Sequence, residues 1–215
     1  MLVSDVMTTN VITVSSDTLM VEAGKIMEFH HLERLPVVDR GKLVGIITKN
    51  RLLRNYPSQA TSLSHWELHY LLAKIRVGDI MKREVVTVTP DTTVERAIAI
   101  AQSNRVGSLP VLEDGRLVGI VTTNDIFYKI LNPLMGIGEK GIRVIVYGAG
   151  EAGQAQKVME CLSRKGIKVK SFCTLASSKV EGNDLVVHLD TEEAGHVLEE
   201  LKKLGLSADV RAYQP

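Results

Sequence analysis

VSDVMTTNVITVSSDT (residues 3–18) and RLPVVDRGKLVGIITKNRLL (residues 34–53) are written a second time as VGDIMKREVVTVTPDT (77–92) and SLPVLEDGRLVGIVTTNDIF (108–127). The two copies, 3–53 and 77–127, align at one constant offset without a gap. The identities fall on Asp5/Asp79, Met7/Met81, Thr13-Val14/Thr87-Val88 and Asp17-Thr18/Asp91-Thr92. They continue on Leu35-Pro36-Val37/Leu109-Pro110-Val111 and Leu43-Val44-Gly45-Ile46/Leu117-Val118-Gly119-Ile120. A self-repeat reports duplication of one structural unit. Two copies alone predict a closed pseudo-twofold pair rather than a solenoid.

Each copy reads β-α-β-β-α. Short strands at Val11–Val14 and Val85–Val88 precede Ser/Asp/Thr clusters suited to helix N-caps. Amphipathic helices follow, with Val21, Ile26 and Met27 apolar in one and Val94, Ile98 and Ala101 in the other. Two apolar strands come next, joined by hairpin chemistry at Asp39-Arg40-Gly41 and Asp114-Gly115. Short helices starting at Asn50 and Asn124 close the units. SHWELHYLLAKI (64–75) has helical spacing and predicts an inserted helix between the copies.

Beyond Asn132-Pro133 the pattern changes. RVIVY, Ala152–Lys165, KVKSFCTLAS, NDLVVHLD, Glu192–Leu204 and SADVRAY read as β-α-β-β-α-β, the ferredoxin-like order, with a hairpin around Glu181-Gly182-Asn183.

The duplicated half resembles a pair of cystathionine-β-synthase-type (CBS) domains, a Bateman module. The residues carrying the likeness are the DVM/DIM starts, the LPVV/LPVL strands and the tail Gly119-Ile120-Val121-Thr122-Thr123-Asn124-Asp125. The last 75 or so residues look like an ACT-type regulatory domain. The ordered combination resembles acetoin-utilisation accessory proteins of bacteria. The expected fold class is therefore α+β or α/β: a tandem CBS pair followed by a ferredoxin-like, ACT-type βαββαβ domain. The expected boundaries are CBS domain 1 at 1–54, a linker with the inserted helix at 55–76, CBS domain 2 at 77–132, a linker at 133–141 and the ACT-like domain at 142–215.

A Thr ending a strand and an Asp one helical turn later converge on one point, and a carboxylate can accept from both hydroxyls of a ribose. The resemblance implies that each cleft takes its Thr and Asp from one repeat and its base-contacting strand and pre-proline residue from the other. One cleft would then join Thr122 and Asp125 to Val11, Ile12, Arg34 and Leu35, with Arg34 meeting phosphate. The other has Thr48, Arg51, Ser108 and Val85, and departs from the pattern. Arg51 stands where the ribose carboxylate belongs, and a guanidinium cannot accept a hydrogen bond. That cleft is empty or takes something more anionic and less dependent on a sugar. The bland alternative for both tails is helix capping.

The implied ligand is an adenine nucleotide (ATP, ADP or AMP) or S-adenosylmethionine, held as a regulatory effector rather than a substrate. No metal is expected. His65 and His69 have a metal-compatible spacing but no evident third ligand, and His30-His31 sits just before the Arg34 strand. Gly148-Ala149-Gly150-Glu151-Ala152-Gly153 is formally a dinucleotide fingerprint. The following strand lacks the acidic ribose partner, and the remaining length cannot complete a doubly wound sheet. In an ACT-type domain, Gly150, Ala152 and Gly153 would mark a turn near a small effector. A small NAD-dependent enzyme built on that turn, or a purely structural dimerisation module, are the competing classes.

Across 215 residues, 45% are apolar, 4% are aromatic and the formal net charge is +1. That balance gives no general nucleic-acid surface. Cys161 and Cys173 make no disulfide framework and suit a reducing compartment. A cytoplasmic homodimer is expected, with no membrane segment, regulating a partner protein that the sequence does not name. The dimer expectation rests on helix faces such as Val21/Ile26, which an isolated pair would leave uncovered.

Overall fold

Each repeat folds around a two-residue hairpin turn whose chemistry is written in the sequence. Arg40 and Gly41 have φ of +49° and +78°, and Asp114 and Gly115 have +49° and +75°. Two consecutive positive φ values make the turn whose twist matches that of the flanking strands. The computed structural model describes residues 1–55 and 74–212. The helix expected at 64–75 therefore lies almost wholly outside the described residues. The chain divides into two compact units, Met1–Ile126 and Phe127–Pro215.

In the first unit, repeat 1 contains α1 (Val3–Val6), α2 (Met20–Phe29), β1 (Arg34–Asp39), β2 (Lys42–Thr48) and α3 (Lys49–Arg54). Repeat 2 contains α4 (Val77–Ile80), α5 (Val94–Ser103), β3 (Ser108–Glu113), β4 (Arg116–Thr122) and α6 (Thr123–Ile126). β1 pairs antiparallel with β2, and β3 with β4, in matching registers with a bulge at matching places. The expected strands at Val11–Val14 and Val85–Val88 do not form as such. Each is an extended segment making a single parallel bridge, Val14 to Val37 and Val88 to Val111.

The repeats complete each other. Lys82 bridges to Ile46 of β2, and Thr8 bridges to Ile120 of β4, each through two backbone hydrogen bonds of 2.9–3.0 Å. Val77, Ile80 and Met81 of repeat 2 are buried in the core formed by Met20, Ala23, Met27, Leu35, Val37, Ile47 and Leu52 of repeat 1. Full burial of such side chains contributes roughly 1.5–3 kcal/mol each, so repeat 1 is stabilised by the start of repeat 2.

Several of the repeated identities acquire a structural role, some locally and some in this exchange. The Asp5 carboxylate accepts the Leu2 N–H and the Asp79 carboxylate the Arg76 N–H, each holding a short helix start. Thr18 and Thr92 hydroxyls accept the N–H groups of Ser15 and Thr89. A Cβ on Gly45 would lie 2.5 Å from the Met81 sulfur and 3.0 Å from the Lys82 carbonyl oxygen. One on Gly119 would lie 2.5 Å from the Met7 sulfur and 3.2 Å from the Thr8 oxygen. Met7/Met81 and Gly45/Gly119 are thus two halves of one contact, made twice across the pair.

Val21 and Ile26 do not stand free as expected. Both are partly buried against the core of their own repeat. The exposed apolar residue of α2 is Phe29, 80% accessible.

The second unit begins with a π-helical turn at Phe127–Leu131 and α7 (Asn132–Met135). Then come β5 (Ile142–Val146), α8 (Ala152–Arg164), β6 (Val169–Ala176), β7 (Asn183–Leu189), α9 (Ala194–Lys203) and β8 (Ala208–Ala212). The sheet order is β6-β7-β5-β8, and every pairing is antiparallel. This is the ferredoxin-like arrangement expected from the element order. Val144, Val146, Leu185, Val187 and Leu189 of the sheet are buried in one core cluster with Val158 and Leu162 of α8 and Val197 and Leu201 of α9.

Candidate ligand clefts

The strand exchange decides which residues meet. Because Thr8 bridges to β4, the segment that follows it lies beside the end of β4 and the start of α6. A cleft of ≈ 390 Å³ results. Repeat 1 contributes Thr8, Asn10, Val11, Ile12, Arg34 and neighbours, and repeat 2 contributes Ile120 and Thr122 through Asp125. Of the residues expected here, Val11, Ile12, Arg34, Thr122 and Asp125 line it. Leu35 does not; it is fully buried in the repeat 1 core, as its place on the inward face of β1 dictates.

Asp125 is 8% exposed. One carboxylate oxygen accepts from the Thr122 backbone N–H at 2.8 Å and from the Thr122 hydroxyl at 2.7 Å; the other accepts from the Thr8 hydroxyl at 3.1 Å. The Thr122 hydroxyl in turn accepts the Asp125 N–H at 3.3 Å. This is a reciprocal capping arrangement with a third contact from the opposite repeat. A buried carboxylate is thereby held in the lining of the cleft. The Thr122 and Thr8 hydroxyls among these donors are groups that a ribose hydroxyl can replace in kind.

Reciprocally, Lys82 beside β2 opens a second cleft of ≈ 280 Å³, lined by Thr48, Arg51, Val85, Ser108, Lys82, Glu84 and Arg105 among others. All four residues expected there are present. The Thr48 hydroxyl accepts the Arg51 N–H at 3.3 Å, and the Arg51 side chain donates through Nε to the Ile80 carbonyl. Arg34 lines both clefts. Its guanidinium lies over Gly107, where a Cβ would come within 2.9 Å of a terminal nitrogen. Burial pushes its pKa below the ordinary arginine range, with Glu33 acting in the opposite direction.

Thr8, Asn10, Glu33, Lys82 and Arg105 were not singled out by sequence reasoning. The repeat carries the signal: at its constant offset, Thr8 aligns with Lys82, Asn10 with Glu84 and His31 with Arg105. Of the His30-His31 pair, His31 lines the first cleft. His65 and His69 lie outside the described residues.

The gapless repeat has a counterpart among known proteins. The CBS domain model matches this chain twice, at residues 3–58 and 77–132. The chain belongs to the CBS domain family. A CBS domain-containing protein of Dictyostelium discoideum is 35% identical over 144 residues, which cover 62% of this chain and 95% of that protein. An inosine-5'-monophosphate dehydrogenase of Methanocaldococcus jannaschii is 30% identical over 223 residues, 96% of this chain, and the chain spans 41% of its length. Among solved structures, a protein assigned to acetoin utilization (AcuB) from Vibrio cholerae superimposes with a TM-score of 0.53 at 26% identity, covering 65% of this chain and 98% of that one.

Outside the CBS pair, the GAGEAG turn is occupied by packing. The Gly148 N–H donates to the buried Asp184 carboxylate at 2.9 Å and the Gly150 N–H to the Asn183 carbonyl at 2.8 Å. A Cβ on Gly150 would lie 2.5 Å from that of Asn183. The antiparallel sheet excludes the doubly wound parallel sheet that a dinucleotide site on this turn requires. Ala152 lines an open groove between α8 and β6, whereas a Cβ on Gly153 would meet nothing within 4 Å. Gly153→Ala is therefore expected to stabilise the chain by about 0.4–1 kcal/mol, through the lower entropy of the unfolded chain. Chemical denaturation of the full chain measures this. A loss of stability would show that Gly153 serves a need absent from the packing seen here.

Cys161 is buried and Cys173 is partly buried on edge strand β6; both are free thiols. No helix among the described residues is long and apolar enough to cross a membrane.

Proposed function

We propose that this chain is a ligand-sensing regulatory protein whose first CBS cleft binds an adenosine-containing ligand. The observation carrying this reading is the convergence of the buried Asp125 and Thr122 from repeat 2 with Val11, Ile12 and Arg34 from repeat 1 in one cleft. In this reading Asp125 accepts the ribose hydroxyls, the Thr122 and Thr8 hydroxyls turn to the sugar or a phosphate, and the base lies against Val11 and Ile12. Because the cleft has walls from both repeats, a ligand that draws them together favours one arrangement of the pair. That differential affinity is what allows binding to be read elsewhere.

The finer organisation belongs to the same proposal. Residues 1–54 and 77–132 act as the two CBS domains joined through 55–76, and 133–141 leads to an ACT-type effector or dimerisation domain at 142–215. The chain works as a cytoplasmic homodimer acting on a partner protein. The ferredoxin-like sheet supports an ACT-type reading of the last unit, with Gly150, Ala152 and Gly153 at its effector turn. A second reading, a structural module with unused clefts, draws on the fact that Thr122 and Asp125 already satisfy each other as a helix cap. Calorimetry of the full chain against adenosine, AMP, ADP, ATP and S-adenosylmethionine separates the two. Saturable binding by at least one supports the sensor, and no binding by any supports the structural module.

A further inference from the structure

The two clefts occupy equivalent positions in the repeat but have opposite chemistry. Where the first carries Thr8, His31 and Asp125, the second carries Lys82, Arg105 and Arg51. Arg34 adds a fourth cation, and its guanidinium rests on Gly107 of the second cleft's wall. Against these stand Glu33 and Glu84, and Glu33 is also 4.0 Å from Lys49, which does not line the cleft. Among the described residues, Arg34, Arg51, Lys82 and Arg105 form no ion pair. Four cations lining one concavity repel one another, and burial of Arg34 removes part of the hydration that would otherwise offset this. An anionic occupant relieves both costs.

The kind of anion follows from the donors. With Arg51 in place of a carboxylate, nothing at that position can accept from a sugar hydroxyl. The cations come from four separate places: the start of β1, α3, the strand-like bridge at Lys82 and the turn at Arg105. Donors converging from several directions suit the tetrahedral oxygens of phosphate better than one flat carboxylate, and the Ser108 and Thr48 hydroxyls add neutral donors. We propose that the second cleft binds a compact, multiply charged phosphate-type anion without a sugar. Because Arg34 lines both clefts, that anion is either a free species such as pyrophosphate or the phosphate tail of a nucleotide seated in the first cleft. Only the second source rests on the adenosyl reading.

The test is calorimetry on the full chain with pyrophosphate, citrate, ATP and adenosine, using wild type, Lys82→Ala, Arg105→Asn and the double variant. Both side chains are exposed. Asparagine tolerates the positive φ of +52° at position 105. For a free anion, pyrophosphate binds wild type and weakens about tenfold with each substitution. For a nucleotide tail, ATP binds wild type more tightly than adenosine, and the double variant abolishes that advantage. Adenosine carries no phosphate and reports on the first cleft alone. If adenosine fails while pyrophosphate binds as described, the adenosyl reading falls and the anion site stands. The proposal is overturned if the double variant changes neither pyrophosphate affinity nor the ATP-to-adenosine ratio. It is equally overturned if citrate binds wild type more tightly than pyrophosphate.

Discussion

Asp125→Ala is expected to weaken binding of an adenosine ligand about ten- to a hundredfold. A buried charged acceptor serving two hydroxyls is worth on the order of 1–3 kcal/mol, and each 1.4 kcal/mol is a factor of ten. The substitution also removes the cap on the Thr122 N–H, at a cost of about 0.5–2 kcal/mol in stability. Affinity and stability therefore need separate measurements, with titrations made well below the melting transition. Asp125→Asn retains one carbonyl acceptor and the side-chain shape, and is expected to fall between wild type and alanine in affinity. Arg51→Ala should leave adenosine affinity unaltered, because Arg51 lines the other cleft. An alanine variant that melts lower but binds adenosine as tightly as wild type would reduce Asp125 to a cap.

Gly45→Ala should destabilise the chain by about 1–3 kcal/mol, the usual cost of overpacking. The Met81 sulfur can move away from the new methyl, but the Lys82 carbonyl oxygen at 3.0 Å is backbone and accepts the Ile46 N–H. Yielding there loosens the bridge that joins the repeats and carries Val77, Ile80 and Met81 into the repeat 1 core. Gly119→Ala, whose nearest backbone atom is 3.2 Å away, should cost less. Denaturation midpoints of the two variants against wild type check the order. Equal stability of all three would show that the methionine–glycine contacts do not hold the pair together.

Much of the fold was legible because the repeat offers two readings of each position. Leu35-Pro36-Val37 and Leu109-Pro110-Val111 declared buried strands twice, and Asp114-Gly115 declared the turn that Arg40-Gly41 also adopts. The antiparallel tail followed from element order. What stayed hidden was the exchange. Val11–Val14 has the composition of a strand, yet its only assigned bridge is one parallel contact from Val14, because Thr8 upstream is already engaged with Ile120. No local pattern reports a partner more than a hundred residues away. Leu35, which the resemblance placed at the cleft with Arg34, is turned into the core by strand alternation within β1. The clefts themselves were legible in Thr122, Asp125 and Arg51. Their charge contrast became visible only once Lys82 and Arg105 were seen on the same wall as Arg51.

Whether one adenosine ligand sits between the repeats with its ribose on Asp125 is best read from a crystal structure of the full chain grown with the tightest-binding adenosine compound. That structure should show ribose hydroxyls within hydrogen-bond distance of the Asp125 carboxylate, the base against Val11 and Ile12, and the Thr8 hydroxyl displaced from its present bond. An adenosine moiety found instead in the cleft of Arg51, or on the C-terminal unit with the Asp125 cleft vacant, would contradict it.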